Sequence, residues 1–470
     1  MEDKFRGHIL AIPYPSQGHI NPLLQFSKIL ASKGLKVTLA NTIFISKSLP
    51  LKSIGSVQFD AISDGYDEEG FARAESIGAY LARMEAEGSR TLIELITKYN
   101  SSPHPINGII YDPFLPWALD VAKQFGLASA AFFTQTCTVN YIYYMHYHGS
   151  DATSIPGLHM LEPQDLPSFI SAPASYPAYL EMVLNQFSNL HEADFIFANS
   201  FYTLEQQVVD SMSKVCRMLT IGPTIPSTYL DNRIEDDKDY GVHLFKIDSV
   251  CSDWLNSKPP GSVIYVAFGS MANLSHKQME ELALGLKGSG FSFLWVVKES
   301  EQAKLPPNFI EEQELERSTS TSEDGGKCKG LIVRWSPQLE VLSNEAVGCF
   351  FTHGGWNSTI EALSLGMPMI VMPQWTDQPT NSKLVQDLWK VGVRVKVDHH
   401  DANNITDENG IVAREEIESC IRKVMEGETA IKMKKNAKKW KSLAIEAVSD
   451  GGTSDTNIHE FLSKLATAAA

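Results

Sequence analysis

The chain has 470 residues, with 40 Lys and Arg against 56 Asp and Glu, and a formal net charge of −16 near neutral pH. Its 43% hydrophobic and 20% charged residues supply enough apolar surface for large buried cores, which excludes wholesale disorder. The acidic balance leaves no electrostatic footprint for nucleic acid or an anionic membrane, and no run approaches the roughly 18 apolar residues of a membrane span, so small molecules are the expected partners.

Residues 1–7 mix acids and bases and lead into a short apolar stretch, too short for a signal-peptide core, so a cytoplasmic protein is expected. Residues 8–12 read as a strand, 20–32 as an amphipathic helix and 35–41 as a second strand, one βαβ unit. Residues 106–111 followed by 116–125 repeat the pattern. Cys137, Cys216, Cys251, Cys328, Cys349 and Cys420 are scattered with no C-x-x-C pair, the usage of reduced thiols rather than of a disulfide or zinc framework. Phe132, Phe133, Tyr141, Tyr144, Met145 and His148 crowd one aromatic stretch, whose helical spacing fits core packing as well as a pocket wall.

Residues 222–258 carry Pro223, Pro226 and a charged stretch at 235–239, a composition that suits an exposed linker. Asp237-Lys238-Asp239 within it is a D-x-D string of the kind that can hold a metal on a diphosphate, but in this setting it reads as a solvated acidic run. Beyond it the alternation restarts with a strand at 262–268 and a helix opened by the capping pair Ser275 and Gln278, whose apolar face is Met279, Leu282, Ala283 and Leu286. Strands recur at 293–297, 330–333, 348–352, 369–372 and 393–397, and helices separate most of them. Residues 316–330 lack an apolar period and read as a surface loop, and the lysines at 432–441 as a solvated helix face. The class is α/β, with two doubly wound parallel sheets: domains at 1–240 and 241–450, and a segment at 451–470 that packs back on the first.

Two turns stand out chemically. Ser16-Gln17-Gly18-His19 follows the first strand, which places His19 at the carboxyl edge where open α/β sheets bind ligands. An imidazole there is a good base near neutral pH, and Asp112, at the end of a later strand, can hold its other nitrogen or serve locally as a cap ahead of Pro113. In the second half, Thr352-His353-Gly354-Gly355-Trp356-Asn357-Ser358 runs from a strand into a helix at 359–365. Two glycines allow close backbone approach and the helix start offers N–H groups to a diphosphate, although Ser358 and Glu361 could equally form a capping box.

The surrounding strings, W-S-P-Q-L-E-V-L at 335–342 and P-Q-W-T-D-Q at 373–378, complete a 44-residue box that resembles the signature of plant UDP-dependent glycosyltransferases of small molecules. P-Y-P-S-Q-G-H-I-N-P at 13–22, Tyr111-Asp112 and Phe268-Gly269-Ser270 extend the resemblance over nearly the full chain, closest to the branch with salicylate, thiohydroximate and triterpenoid glucosyltransferases. It implies a GT-B fold, two Rossmann-like domains facing a cleft, and inverting transfer of glucose from UDP-glucose, a co-substrate, to a hydroxyl or carboxyl of a small lipophilic acceptor. His19 would be the base, oriented by Asp112. Trp335 would stack on uracil, and Gln338 and Glu361 would hold the ribose. His353, Gly355, Trp356, Asn357, Ser358 and the Ser270 turn would take the diphosphate. Trp375, Asp377 and Gln378 would contact the sugar, with a helix-cap role as the alternative for Asp377 and core packing as that for Trp375. Gly355 stands where the family usually has Cys, a change expected only to loosen the turn. Tyr14, Phe133, Tyr141, Met145, Met182 and Phe187 are candidates for an apolar acceptor pocket. No cofactor, metal, nucleic acid, membrane insertion or oligomeric partner is expected. The absence of G-x-G-x-x-G opening a helix after a strand disfavours a nucleotide-dependent oxidoreductase.

Overall fold

A computed structural model describes residues 5–48, 52–158, 160–242, 250–313, 330–397 and 410–468. The chain divides into two compact units, one of residues 1–244 with 443–470 and one of residues 245–442, so the tail that joins the first unit starts at 443 rather than 451.

The first unit carries strands β1 (His8–Ile12), β2 (Lys36–Thr42), β3 (Ser53–Ile54), β4 (Val57–Ile62), β5 (Gly108–Tyr111), β6 (Ala128–Phe133), β7 (Phe195–Ala198) and β8 (Met218–Thr220). They lie in the order β3-β4-β2-β1-β5-β6-β7-β8 and pair in parallel, except β3, which runs antiparallel to β4. Helices cover both faces of such a sheet, so its central strands are unbroken apolar runs; every residue of β1 and β5 is buried. The chain leaves β1 toward β2 on one side and later takes up β5 on the other. β1 and β5 therefore flank the point where the winding reverses, with Ile12 opposite Tyr111 at their carboxyl ends.

The second unit repeats this plan with β9 (Val263–Ala267), β10 (Ser292–Val296), β11 (Gly330–Val333), β12 (Val347–Thr352), β13 (Met369–Val371) and β14 (Gly392–Arg394). All pair in parallel in the order β11-β10-β9-β12-β13-β14. Its reversal lies between β9 and β12, where Ala267 is opposite Thr352. Among the described residues no helix is long and apolar enough to cross a membrane.

Two expectations change. The segment after β8 is no exposed linker throughout: residues 222–227 are buried. Nor is Asp237 a solvated acid. It is 5% exposed and accepts from Gln25 Nε2 at 2.6 Å, Lys28 Nζ at 2.9 Å and the Ser227 amide at 2.7 Å, while its neighbour Asp236 stays in water. A buried carboxylate persists only with such partners, and here they lock the loop onto the helix Gln17–Ser32. The helix Thr453–Ala468 belongs to the first unit's core: Ile458, Phe461, Leu462 and Leu465 join its cluster, and Phe461 meets Phe195 and Phe197 edge-on at 5.1 and 5.3 Å. Burying a side chain of that size contributes about 2–3 kcal/mol. Of the loop expected at 316–330, residues 316–329 lie outside the described residues. The lysines at 432–441 lie on the helix Gly427–Val448, mostly exposed, with Met433 and Ala437 buried between them.

Candidate active site

At the reversal of the first sheet, the turn after β1 starts the helix Gln17–Ser32, three residues earlier than its apolar period indicates, and His19 falls in its first turn. Asp112 follows β5, where its amide donates to Ile12 O at 2.9 Å across the gap between the two strands. The shared register brings the side chains together: His19 Nδ1 lies 2.5 Å from Asp112 Oδ2. Asp112 does not cap the following helix Pro116–Gln124, whose N-cap is Leu115. Its other oxygen, Oδ1, accepts from the Phe114 amide at 3.1 Å and holds the local turn. A carboxylate at Nδ1 takes that nitrogen's proton as a hydrogen bond, which leaves the lone pair on Nε2. Thr134, at the end of β6, adds its hydroxyl 3.2 Å from the same Nδ1. The Asp112 side chain is 2% exposed and that of His19 18% exposed, so a buried carboxyl group backs an accessible ring. Such a pair can act as a general base, with the carboxylate behind the ring able to stabilise an imidazolium.

The acceptor candidates separate. Tyr14 lies 5.3 Å from the His19 ring, and Phe114, which sequence reading missed, lies 5.2 Å from it and 5.7 Å from Tyr14. Phe114 also lines a cavity of about 180 Å³ with Leu81, Met84, Trp117 and Met182. Phe133 and Phe187 are buried and stack at 6.1 Å, and Phe187 meets Tyr144 and Tyr147. Tyr141 and Met145, half-buried on the helix Cys137–Tyr147, do not line the cavity. Only the place of Phe114, two residues after the aspartate, could have marked it in sequence.

At the reversal of the second sheet, turns after β9 and β12 meet. Gly354 has φ +83°, and a Cβ there would lie 2.5 Å from Val371 Cγ1. Gly269 has φ +74°, and a Cβ there would lie 2.9 Å from the His353 ring. Gly355 does more than loosen the turn, because a Cβ on it would approach His353 Nε2 to 2.6 Å. The glycines thus make room for the imidazole between the two turns. Desolvation lowers the His353 pKa to about 4, so the ring is neutral at pH 7 and carries one N–H. The helix begins at Trp356, not 359, with Gly355 as N-cap. Ser358 is therefore its third residue, and the Ser358–Glu361 capping box is ruled out.

The polar side chains of the box hold one another instead. Gln338 Nε2 donates to Glu361 Oε2 at 2.7 Å and to Ser358 Oγ at 3.0 Å. The hydroxyl of Tyr265, another residue missed, donates to Gln338 Oε1 at 3.3 Å and lies 2.8 Å from Ser336 Oγ. Trp335 and Trp375 are half-buried. The Trp356 indole is 3% exposed and packs on Trp389 at 6.0 Å, so its side chain is core. Its backbone amide bonds to the Asp377 carboxylate. Asp377 sits at the N-cap of Gln378–Lys383 without capping it. Its Oδ2 accepts from Asn381 Nδ2 at 2.7 Å, and the same amide group donates to Gly354 O at 2.9 Å. Desolvation raises the Asp377 pKa. Gln378 Oε1 accepts the amides of Gln374 and Trp375 at 2.8 and 3.1 Å, fixing the loop and leaving its N–H₂ as the donating end. Asn357 and Ser270 stand half-buried beside His353 in sequence or across the gap. The arrangement can take a base on an indole, a diol on paired amide and carboxylate, and anionic oxygens at a helix start.

Residues 226–428 match the family described as UDP-glucoronosyl and UDP-glucosyl transferase, and residues 8–59 match a glycosyltransferase N-terminal domain. The chain is 54% identical to UDP-glycosyltransferase 74F2 of Arabidopsis thaliana, over 99% of both chains. It is 52% identical to flavonol 7-O-beta-glucosyltransferase UGT74F1 of the same plant, over 98% of this chain and 99% of that one. The crystal structure of Os79 from O. sativa in complex with UDP superposes with a TM-score of 0.88 at 39% identity, covering 97% of this chain and 100% of that one. Both Rossmann-like sheets belong to that shared GT-B fold.

Proposed function

The chain belongs to the family of UDP-glucoronosyl and UDP-glucosyl transferases, which pass a sugar from a UDP-sugar to a small-molecule acceptor, and from that premise we propose a specific reaction: transfer of glucose from UDP-glucose to a hydroxyl of a small lipophilic acceptor, with inversion. His19 Nε2 takes the acceptor's proton as its oxygen attacks the anomeric carbon, the bond from that carbon to the diphosphate breaks, and UDP leaves. Asp112 stabilises the imidazolium through Nδ1. The single observation that carries this reading is the His19–Asp112 pair at 2.5 Å on the carboxyl edge of the first sheet, with the aromatic rings of Tyr14 and Phe114 around it.

Trp335 takes the uracil face, Gln338 and Glu361 the ribose hydroxyls, and His353, Asn357, Ser358 and the Ser270 turn the diphosphate. Asp377 and the Gln378 amide group meet the sugar hydroxyls. A phenolic acceptor of the kind named for the flavonol-glucosylating relative suits the cavity at Phe114 and Met182, whose apolar rings and side chains are joined by Glu85, Glu181 and Asn185, in keeping with the salicylate, thiohydroximate and triterpenoid branch. The diphosphate is neutralised by the helix start at Trp356 and by hydrogen-bond donors, without a divalent metal, and the D-x-D string takes no part because Asp237 is committed to Gln25, Lys28 and Ser227.

The test is turnover of UDP-glucose with phenolic, steroid, triterpenoid and carboxylic acceptors, with product stereochemistry read by NMR and with EDTA present or absent. A β-glucoside formed equally well in EDTA is expected. No turnover on any acceptor, retention at the anomeric carbon, or loss of activity in EDTA restored by magnesium or manganese would each defeat the corresponding part of the reading.

A further inference from the structure

The loop after β9 carries Ser270, and two lysines reach it from the segment that follows β10. Lys298 Nζ donates to Ser270 O at 2.9 Å and to Ala272 O at 2.8 Å. Lys304 Nζ donates to Leu274 O at 3.0 Å and to Asn273 Oδ1, while Glu301 Oε2 holds it at 2.8 Å. Four of the five residues 270–274 are thus tied to two cations, whereas Met271 among them stays 62% exposed. The opposite side of the loop is fixed by the close approach of Gly269 to the His353 ring.

We propose that Lys298 is a positioning residue for the donor diphosphate: it pins the Ser270 turn by its carbonyls so that the turn faces His353, and it adds a positive charge beside the anion. Lys304 braces the same loop farther along and contributes less. The inference rests on the reading of the Ser270 and His353 turns as the diphosphate site. Two observations favour a role beyond loop packing. The Lys298 ammonium is partly desolvated, which lowers its pKa, and no carboxylate lies within ion-pair distance of it among the described residues: Glu301, whose charge it feels, is bonded to Lys304 instead. A neutral donor would satisfy two carbonyls at a smaller desolvation cost.

The experiment is calorimetric titration of UDP and of uridine into the wild type, K298M, K298R and K304M, with KM and kcat for the UDP-sugar measured alongside. Because charge-assisted hydrogen bonds are the stronger class, K298M is expected to weaken UDP binding and raise KM by about ten-fold or more, with uridine affinity and kcat changed less than two-fold. K298R, which keeps charge and donors, should retain UDP affinity within about three-fold, and K304M should lose no more than about three-fold. Equal losses of UDP and uridine in K298M, an unchanged UDP affinity, or a K298R as impaired as K298M would overturn the proposal. If the wild type itself binds uridine no more weakly than UDP, the diphosphate reading fails rather than the role of Lys298.

Discussion

The two units use one device for different ends. Each sheet reverses its winding between two central strands, and each carries its candidate site residues at the carboxyl ends of that pair: His19 and Asp112 beyond β1 and β5, Ser270 and His353 beyond β9 and β12. In the first unit a single contact, imidazole to carboxylate at 2.5 Å, makes the site. In the second no contact dominates: Gln338 bonds Ser358 and Glu361, Asn381 bonds Asp377, and Gln378 bonds the amides of Gln374 and Trp375. A base acts through one proton, whereas a nucleotide sugar has to be held at many points. The lesson is that changes in the first unit should act on rate, and changes in the second on binding and on the choice of donor.

The sharpest way to break this contrast is at His19. His19→Ala should lower kcat by about 10³-fold with the Kd for UDP unchanged within two-fold, and Asp112→Asn by about 10²-fold through loss of the Nδ1–H tautomer. Steady-state kinetics with calorimetry checks both, and a variant that keeps kcat but loses UDP affinity would make these residues part of donor binding and break the contrast. Next in size is donor choice. Glucose and galactose differ in the direction of one hydroxyl, and an unpaired partner costs about 1–3 kcal/mol, so UDP-glucose should lead UDP-galactose by roughly ten-fold to a hundred-fold in kcat/KM. Gln378→Ala, which also frees the Gln374–Trp375 loop, should erase most of that margin; equal use of both donors by the wild type would count against the assignment. Glu361→Ala should then raise the KM for the donor about ten-fold and leave kcat nearly untouched, a split that initial-rate measurements resolve.

What could be read from the chain and what could not follow the same division. Unbroken apolar strands and helical periods showed two parallel sheets, because both faces of such sheets are covered and the pattern is local. That His19 meets Asp112 was legible from the turn after β1 together with the family resemblance, since local sequence alone favoured a cap for Asp112. Phe114, Thr134, Tyr265, Asn381 and Lys298 were not, because each matters through a neighbour far away in sequence. Asp237 shows the limit plainly: Gln25, 212 positions away, turns an apparently solvated acid into a buried tie, and nothing within the acidic stretch itself records it. The capping-box reading of Ser358 and Glu361 failed because the helix already starts at Trp356, with Gly355 as its N-cap, one turn before Ser358 could cap it.

The smallest effect separates the units by acid. Burial of His8 in β1 lowers its pKa to about 4; its Nδ1 donates to His104 O at 2.9 Å, and its Nε2 accepts from the Thr38 hydroxyl at 2.8 Å. The folded state therefore prefers the neutral ring. That stabilisation is complete above the unfolded value near 6.5 and is lost as pH falls from 6.5 through about 4, a drop of about 3 kcal/mol. His353 adds a loss of the same sign in the second unit. His8→Gln should flatten the pH dependence of the first unit's urea midpoint over this range, and an undiminished slope in that variant would assign the acid sensitivity elsewhere.

One feature of connectivity bears on how the molecule is made. Phe461 and Leu465 complete the core under β7, yet they follow all of residues 245–442 in the chain. During synthesis the second unit, one uninterrupted stretch, is finished on the ribosome before the first unit has received its closing helix. The order of translation is therefore the reverse of the order of completion. The domain begun first has to wait with Phe195 and Phe197 uncovered, which makes that apolar edge the place where a nascent chain is most exposed to chaperones and to premature association.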